Sequence, residues 1–188
     1  RTPPTVRRPG EPPAIFFCGR HEERKGLSVL VEAFGRLDID AQLWIASTGP
    51  DTARLTDQTA DDSRVRWLGR ITDDEKYARL RSADIFCAPS LGGESFGVVL
   101  IEAMAAGTTV VASALDGYRN VATHDVDALL TEPGDARELA GALRQALSEP
   151  ATAARLQAAG SVRAQDFAMS TLADHYVRIY RDVIARDA

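Results

Sequence analysis

Cysteine is scarce: the 188 residues contain two, Cys18 and Cys87. Each lies in a short apolar run that reads as a buried strand. Two core thiols fit a reducing cytoplasm better than a disulfide framework. Long apolar runs are missing too. Val98 to Ala106 is short and interrupted by Glu102, whereas a bilayer span needs roughly 20 apolar residues. The charged start is not followed by the apolar core of a secretory signal. Excess positive charge is absent, with 22 Lys and Arg against 27 Asp and Glu and a net charge of -5. That argues against a nucleic-acid partner, although a local basic patch stays compatible with it. The histidines His21, His124 and His175 lack metal-ligand spacing, so neither a metal site nor a protein-bound cofactor is assigned. No Ser–His–Asp arrangement can be argued from spacing.

What is present suits one globular domain. Hydrophobic residues make up 45% and charged residues 26%, enough for a core without tending to disorder. Arg1 to Pro13 holds five prolines and three arginines and reads as an extended interdomain linker (residues 1–13) with something preceding it. Residues 14–188 then alternate. Strands are expected at Ala14–Gly19, Ala41–Ser47, Val65–Leu68, Asp84–Ala88, Thr108–Ser113 and Ala128–Thr131. Helices are expected at Gly26–Leu37, Asp73–Ser82, Gly97–Ala106, Asp135–Leu147, Ala151–Gln165 and Ser170–Ala185. Thr72 and Glu75 form a capping box before the second of these. Trp44 and Trp67 read as core. This alternation predicts an α/β fold, a doubly wound, Rossmann-like parallel sheet. In the common strand order 3-2-1-4-5-6, ligands bind beyond the carboxyl ends of strands 1 and 4.

The loop after strand 1 carries Gly19, Arg20, Lys25 and Gly26. Arg20 as a planar fork and Lys25 as a point charge have the chemistry to converge on a diphosphate. A solvated loop of mixed charge is the alternative. The loop after strand 4 runs Ser90-Leu91-Gly92-Gly93-Glu94-Ser95-Phe96-Gly97 and opens a helix. Its glycines allow close backbone approach, and the amides of Ser95, Phe96, Gly97 and Val98 make a helix N-terminus suited to phosphate. A turn required only by the chain path is the competing reading. It is not a Walker loop, because Val98 stands at the lysine position, and no G-x-G-x-x-G occurs.

Glu102 weighs on the side of a ligand. Every other residue from Val98 to Ala106 is apolar, so a helix buried on most sides is expected, and a carboxylate within it needs a cavity or a partner. Counted as helix, Glu102 shares a face with Ser95. Glu94 and Glu102 would then lie on the order of 12 Å apart, the span of a sugar diphosphate nucleotide. A structural salt bridge is the alternative for Glu102. After strand 3, Asp73 has the acceptor geometry for the adjacent donors of guanine. It also suits a first helical turn by complementing the macrodipole.

These residues resemble glycosyltransferase family 4 of the GT-B fold, over about Ile15 to Ile184. The family's G-R-x-x-x-x-K-G is similar to Gly19-Arg20…Lys25-Gly26, and its E-x7-E element to Glu94…Glu102. Ala88 to Thr108 resembles most the actinobacterial phosphatidylinositol mannosyltransferases. That subfamily transfers mannose from GDP-mannose to a lipid-linked inositol at the inner membrane face.

The resemblance implies a donor-binding C-terminal half of a retaining glycosyltransferase. Arg20 and Lys25 would bind phosphates beside Gly19. Glu94 would contact mannose hydroxyls next to Gly93, and the backbone of Ser95, Phe96, Gly97, Val98 and Val99 would hold sugar and phosphate. Glu102 would bind ribose, while Ile71, Asp73 and Lys76 would surround guanine. A lipid acceptor would be bound by an N-terminal domain, with peripheral membrane contact through that domain. Two positions depart from the family: Ser47 where glycine is frequent, and Met169 where tryptophan often opens the last helix. Neither is expected to touch the donor contacts. A nucleotide-sugar 2-epimerase and a non-catalytic nucleotide-binding α/β module are the competing readings.

Overall fold

The computed structural model describes residues 10–186. Residues 1–9 of the Pro-rich segment therefore lie outside the described residues. Six parallel strands form one sheet: β1 (Ala14–Cys18), β2 (Gln42–Ala46), β3 (Val65–Gly69), β4 (Ile85–Ala88), β5 (Thr109–Ser113) and β6 (Leu129–Thr131). Their spatial order is β3-β2-β1-β4-β5-β6, the order expected for a doubly wound sheet. Phe16 of β1 pairs with Trp44 of β2 on one side and Phe86 of β4 on the other. The chain reverses its winding between β1 and β4, and a crevice opens beyond that point.

Side chains alternate along each strand, so each strand feeds two cores. Ile15, Phe17, Leu43, Ile45, Ile85 and Cys87 face one side, where α1 (Leu27–Gly35) and α6 (Ala136–Ser148) pack. Ala14, Phe16, Trp44, Phe86, Val110 and Ala112 face the other, toward α3 (Asp73–Ser82), α4 (Val98–Ala105) and α7 (Pro150–Gln165). Burial on both faces explains the near-continuous apolar strands. Each fully buried Phe or Leu contributes about 1.5–3 kcal/mol.

The ends of the helices are set locally. Thr72 Oγ1 accepts from Glu75 N–H at 3.2 Å and starts α3. Only half of the expected capping box forms, because the Glu75 carboxylate accepts from Arg79 Nη2 at 2.8 Å, one turn on. Asp135 caps α6 by accepting from Arg137 N–H and Glu138 N–H, both at 2.9 Å. Pro150 opens α7, where its missing N–H costs nothing.

Several expectations are corrected. The sequence reading passed over α2 (Thr52–Gln58) and α5 (Asp116–Arg119), which are short and carry little apolar periodicity. Helix α4 is buried along Leu100, Ala103 and Met104 only, and Val98 is 59% exposed. A helix on a doubly wound sheet packs one side inward, whatever the composition of its other side. Cys18 and Trp67 are half-buried rather than core. Cys18 ends β1 at the crevice, and Trp67 lies on edge strand β3. In α8 (Met169–Arg186), Tyr176 and Ile179 are exposed, so they do not cover the sheet. With Leu172, Tyr180 and Val183, whose side chains lie outside the described residues, they form an apolar stripe at helical spacing in the sequence.

Candidate functional site

Loops β1–α1 and β4–α4 meet across the switch point. The first contains a 3-10 turn, Glu23–Lys25, closed by Gly26 in the left-handed region at φ 66°. A Cβ on Gly26 would lie 1.8 Å from Pro89 O, so only glycine lets the two backbones touch. Leu91 N–H donates to Arg24 O at 2.8 Å and fixes the contact. Lys25 Nζ then reaches Glu94 Oε1 at 2.5 Å. Ser90 Oγ donates to the same oxygen at 3.0 Å, and Arg24 Nη1 stands 3.7 Å from it. Glu94 is thereby held although its side chain is only 12% exposed.

Three adjoining cavities line the carboxyl edge. The largest, 530 Å³, lies among Arg20, Ser47, Thr48, Ile71, Asp73 and Lys76. One of 120 Å³ brings together Gly19, Arg20, Lys25, Ser90, Val99 and Tyr118. Another of 120 Å³ lies among Lys76, Val99 and Glu102. Cys18 lines all three, which makes them one row. At the far end Glu102 Oε1 accepts from Lys76 Nζ at 2.9 Å and from Tyr77 OH at 3.2 Å. Partial burial disfavours the Lys76 ammonium, but the hydrogen bond and charge of Glu102 outweigh it and raise its pKa above the ordinary lysine value.

The expected residues divide accordingly. Gly19, Arg20, Lys25, Ile71, Asp73, Lys76, Val99 and Glu102 line the row. Glu94 joins it through Lys25, and Gly93 lies on the same loop, its carbonyl accepting from Arg24 Nη1 at 3.4 Å. Ser95, Phe96, Gly97 and Val98 do not line these three cavities; Phe96 instead meets Phe167 edge-on, with centroids 5.7 Å apart. Ser95 and Phe96 also precede the helix. Gly97 adopts φ 87° as the N-cap, so helical geometry begins at Val98. Ser95 lies outside the helix and, contrary to expectation, does not share a helical face with Glu102. Arg20 and Lys25 share a cavity but not a partner: Arg20 Nε pairs with Glu22 Oε2 at 3.3 Å and its side chain is 67% exposed. Glu102 has the ion-pair partner that its structural reading required, and it also faces a cavity.

Four residues escaped the sequence reading. Ser47 was expected to lie away from the donor contacts, yet it lines the largest cavity. It also adopts φ 89°, which for a residue with a Cβ costs about 1–3 kcal/mol. His21 is fully buried. Its Nε2–H donates to Ala46 O at 3.2 Å, so Nδ1 accepts from Thr52 OH at 2.8 Å. Thr52 Oγ1 in turn accepts from Gly49 N–H at 2.8 Å. This chain of bonds ties the loop after β1 to the loop after β2. Ser90 and Tyr118, buried behind Glu94, complete the set. The Pro-Ser step before the two glycines was the only local signal for Ser90.

Comparisons with known proteins identify the family and the fold. The family model for glycosyl transferases group 1 matches residues 2–163. A phosphatidyl-myo-inositol mannosyltransferase of Mycobacterium leprae is 40% identical over 173 residues, covering 90% of this chain and 46% of that protein. The chain thus spans about half the length of the curated relatives it matches. The structure of sucrose-phosphate synthase from Thermosynechococcus elongatus superimposes with a TM-score of 0.83 at 30% identity, over 95% of this chain and 47% of that one. The C-terminal domain of a glycosyl transferase group 1 family protein from Francisella tularensis shares the fold, with a TM-score of 0.72 at 21% identity, over 81% of this chain and 84% of that one. With the family model matching most of its length, the chain belongs to the glycosyl transferases group 1 family.

Proposed function

We propose that this chain is the donor-binding half of a retaining α-mannosyltransferase. It takes GDP-mannose and serves transfer to phosphatidylinositol or a related lipid at the inner face of the plasma membrane. A second, N-terminal domain supplies the acceptor site. The observation that carries this reading is the row of cavities bounded by two glutamate–lysine pairs, Lys25–Glu94 and Lys76–Glu102. The likeness to the Mycobacterium leprae enzyme points to mannose and to an inositol lipid.

In this reading Arg20 and Lys25 hold the diphosphate and stabilise the charge that grows on it as GDP leaves. Glu94 binds mannose hydroxyls and Glu102 the ribose hydroxyls, each acting as a hydrogen-bond acceptor. Guanine lies in the largest cavity, over Ile71, with Asp73 accepting from its two adjacent donors. Titration calorimetry with GDP, UDP and GDP-mannose tests this. GDP is expected to bind more tightly than UDP, and equal dissociation constants would remove the base assignment. No binding of any of the three would overturn the donor reading.

A further inference from the structure

Ser90 and Tyr118, which line the small cavity beside Lys25, join behind Glu94 in a polar chain to which the donor reading assigns no contact. Ser90 Oγ is 3.0 Å from Glu94 Oε1 and 3.0 Å from Tyr118 OH. Its direction follows from chemistry. A carboxylate only accepts, so the single Ser90 proton goes to Glu94, and Tyr118 must therefore donate to Ser90. Burial raises the Tyr118 pKa to about 12, so the phenol keeps the proton it donates.

The backbone is built to hold Tyr118 there. Tyr118 sits in α5, and its own side chain is 1% exposed. The preceding Gly117 packs directly on the Glu94 loop: a Cβ at that position would be 1.9 Å from Glu94 O. On the other side, a Cβ on Gly97 would be 3.1 Å from the Tyr118 ring. Helix α5 is thus a buttress under the loop that carries Glu94. The hydrogen bonds from Lys25 and Ser90 both fall on Oε1, which leaves the direction of Oε2 set by them.

Resting on the donor-binding reading, we infer that Tyr118 is a positioning residue which, through Ser90, fixes the Glu94 carboxylate so that Oε2 addresses the hexose of a nucleoside diphosphate sugar. Such a residue acts on recognition of the sugar and not on binding of the nucleotide. Lys25 alone would hold one oxygen while letting the carboxylate swing about that contact. A second bond from Ser90, itself anchored by a buried phenol, removes that freedom.

The test is titration calorimetry of the 188-residue chain with GDP and with GDP-mannose, on wild type and on Tyr118→Phe. The variant keeps the ring and loses only the hydroxyl. GDP affinity is expected to stay within about twofold, while the ratio of GDP-mannose to GDP affinity falls about fivefold, the effect of one lost hydrogen bond. Ser90→Ala is expected to lower the same ratio. In a Glu94→Ala background, Tyr118→Phe is expected to change nothing further, because it acts only through Glu94. Equal weakening of both ligands, an unchanged ratio, or a Tyr118→Phe effect that persists without Glu94 would overturn the positioning role. Failure of the wild type to bind either ligand would instead overturn the donor reading on which it rests.

Discussion

Lys25 Nζ lies 2.5 Å from Glu94 Oε1, a bond between residues 69 apart in the chain. The two side chains meet because their backbones already do, at Gly26 against Pro89 and at Leu91 against Arg24. The pair is thus a product of the α/β topology, which sets the loops after β1 and β4 side by side.

Lys25→Ala is expected to weaken GDP binding far more than guanosine binding. A hydrogen bond to a charged group contributes about 1.5–3 kcal/mol, so the loss for GDP is roughly 10- to 150-fold. The variant also leaves Glu94 without its principal cation, which adds repulsion toward a diphosphate. Guanosine carries no phosphate and feels neither change. Paired affinities on wild type and mutant decide the matter; equal losses for both ligands would place Lys25 elsewhere in the mechanism.

Gly26→Ala is expected to destabilise the whole domain. The residue sits at φ 66° with Pro89 O where its Cβ would go, so both strain and a backbone clash must be relieved by separating the loops. A cost on the order of 3 kcal/mol or more follows, a fall in Tm of roughly 6–12 °C for a domain of this size. Thermal melting checks it. A melting temperature within a degree or two of wild type would show that the loops part freely.

His21 makes stability depend on mild acid. Burial lowers its pKa below the ordinary histidine value, while the Ala46 carbonyl and Asp51 oppose that shift. Protonation would place a hydrogen on Nδ1, where Thr52 now donates. The unfolded chain therefore takes up this proton more readily than the native one. The stability contributed by neutral His21 is complete above about pH 6.5 and is lost as pH falls through the lowered folded pKa. Melting curves from pH 8 to pH 5 are expected to show that decline in wild type and a shallower one in His21→Gln. Parallel declines would assign the effect to another group.

The sheet and its switch point were legible because buried parallel strands are apolar throughout and the intervening helices are periodic. The start of α3 at Asp73 followed from Thr72 and Glu75 just before and within its first turn. Helix α2 was not legible, since Leu55 is its only buried residue and one apolar position has no period. Tyr118 could not be linked to Glu94 from sequence, because only the crossing of α5 under the loop joins them. His21 was hidden among charges, in a stretch that reads as a solvated loop until the fold encloses it. Ser47 misled for a different reason: the backbone there is left-handed, and a serine does not announce it.

Tested alone, the chain is expected to fold and bind donor but to transfer no sugar. Folding is expected because the six strands are covered on both faces by the chain's own helices. Binding is expected because the row of cavities is lined by residues of this chain. Transfer asks for more: an acceptor oxygen held near the anomeric carbon, with water kept out, which takes a second wall to the cleft. The Mycobacterium leprae relative is more than twice as long as the part this chain matches, and in the proposed reading the additional length supplies that wall. Tyr176 and Ile179 on α8 are exposed and lie at a spacing that places them on one helical face. The measurement is mannose transfer from GDP-mannose to phosphatidylinositol, first by the 188-residue chain and then with an N-terminal half added. Turnover by the chain alone would mean that one wall suffices, and the division of labour between two halves would fail.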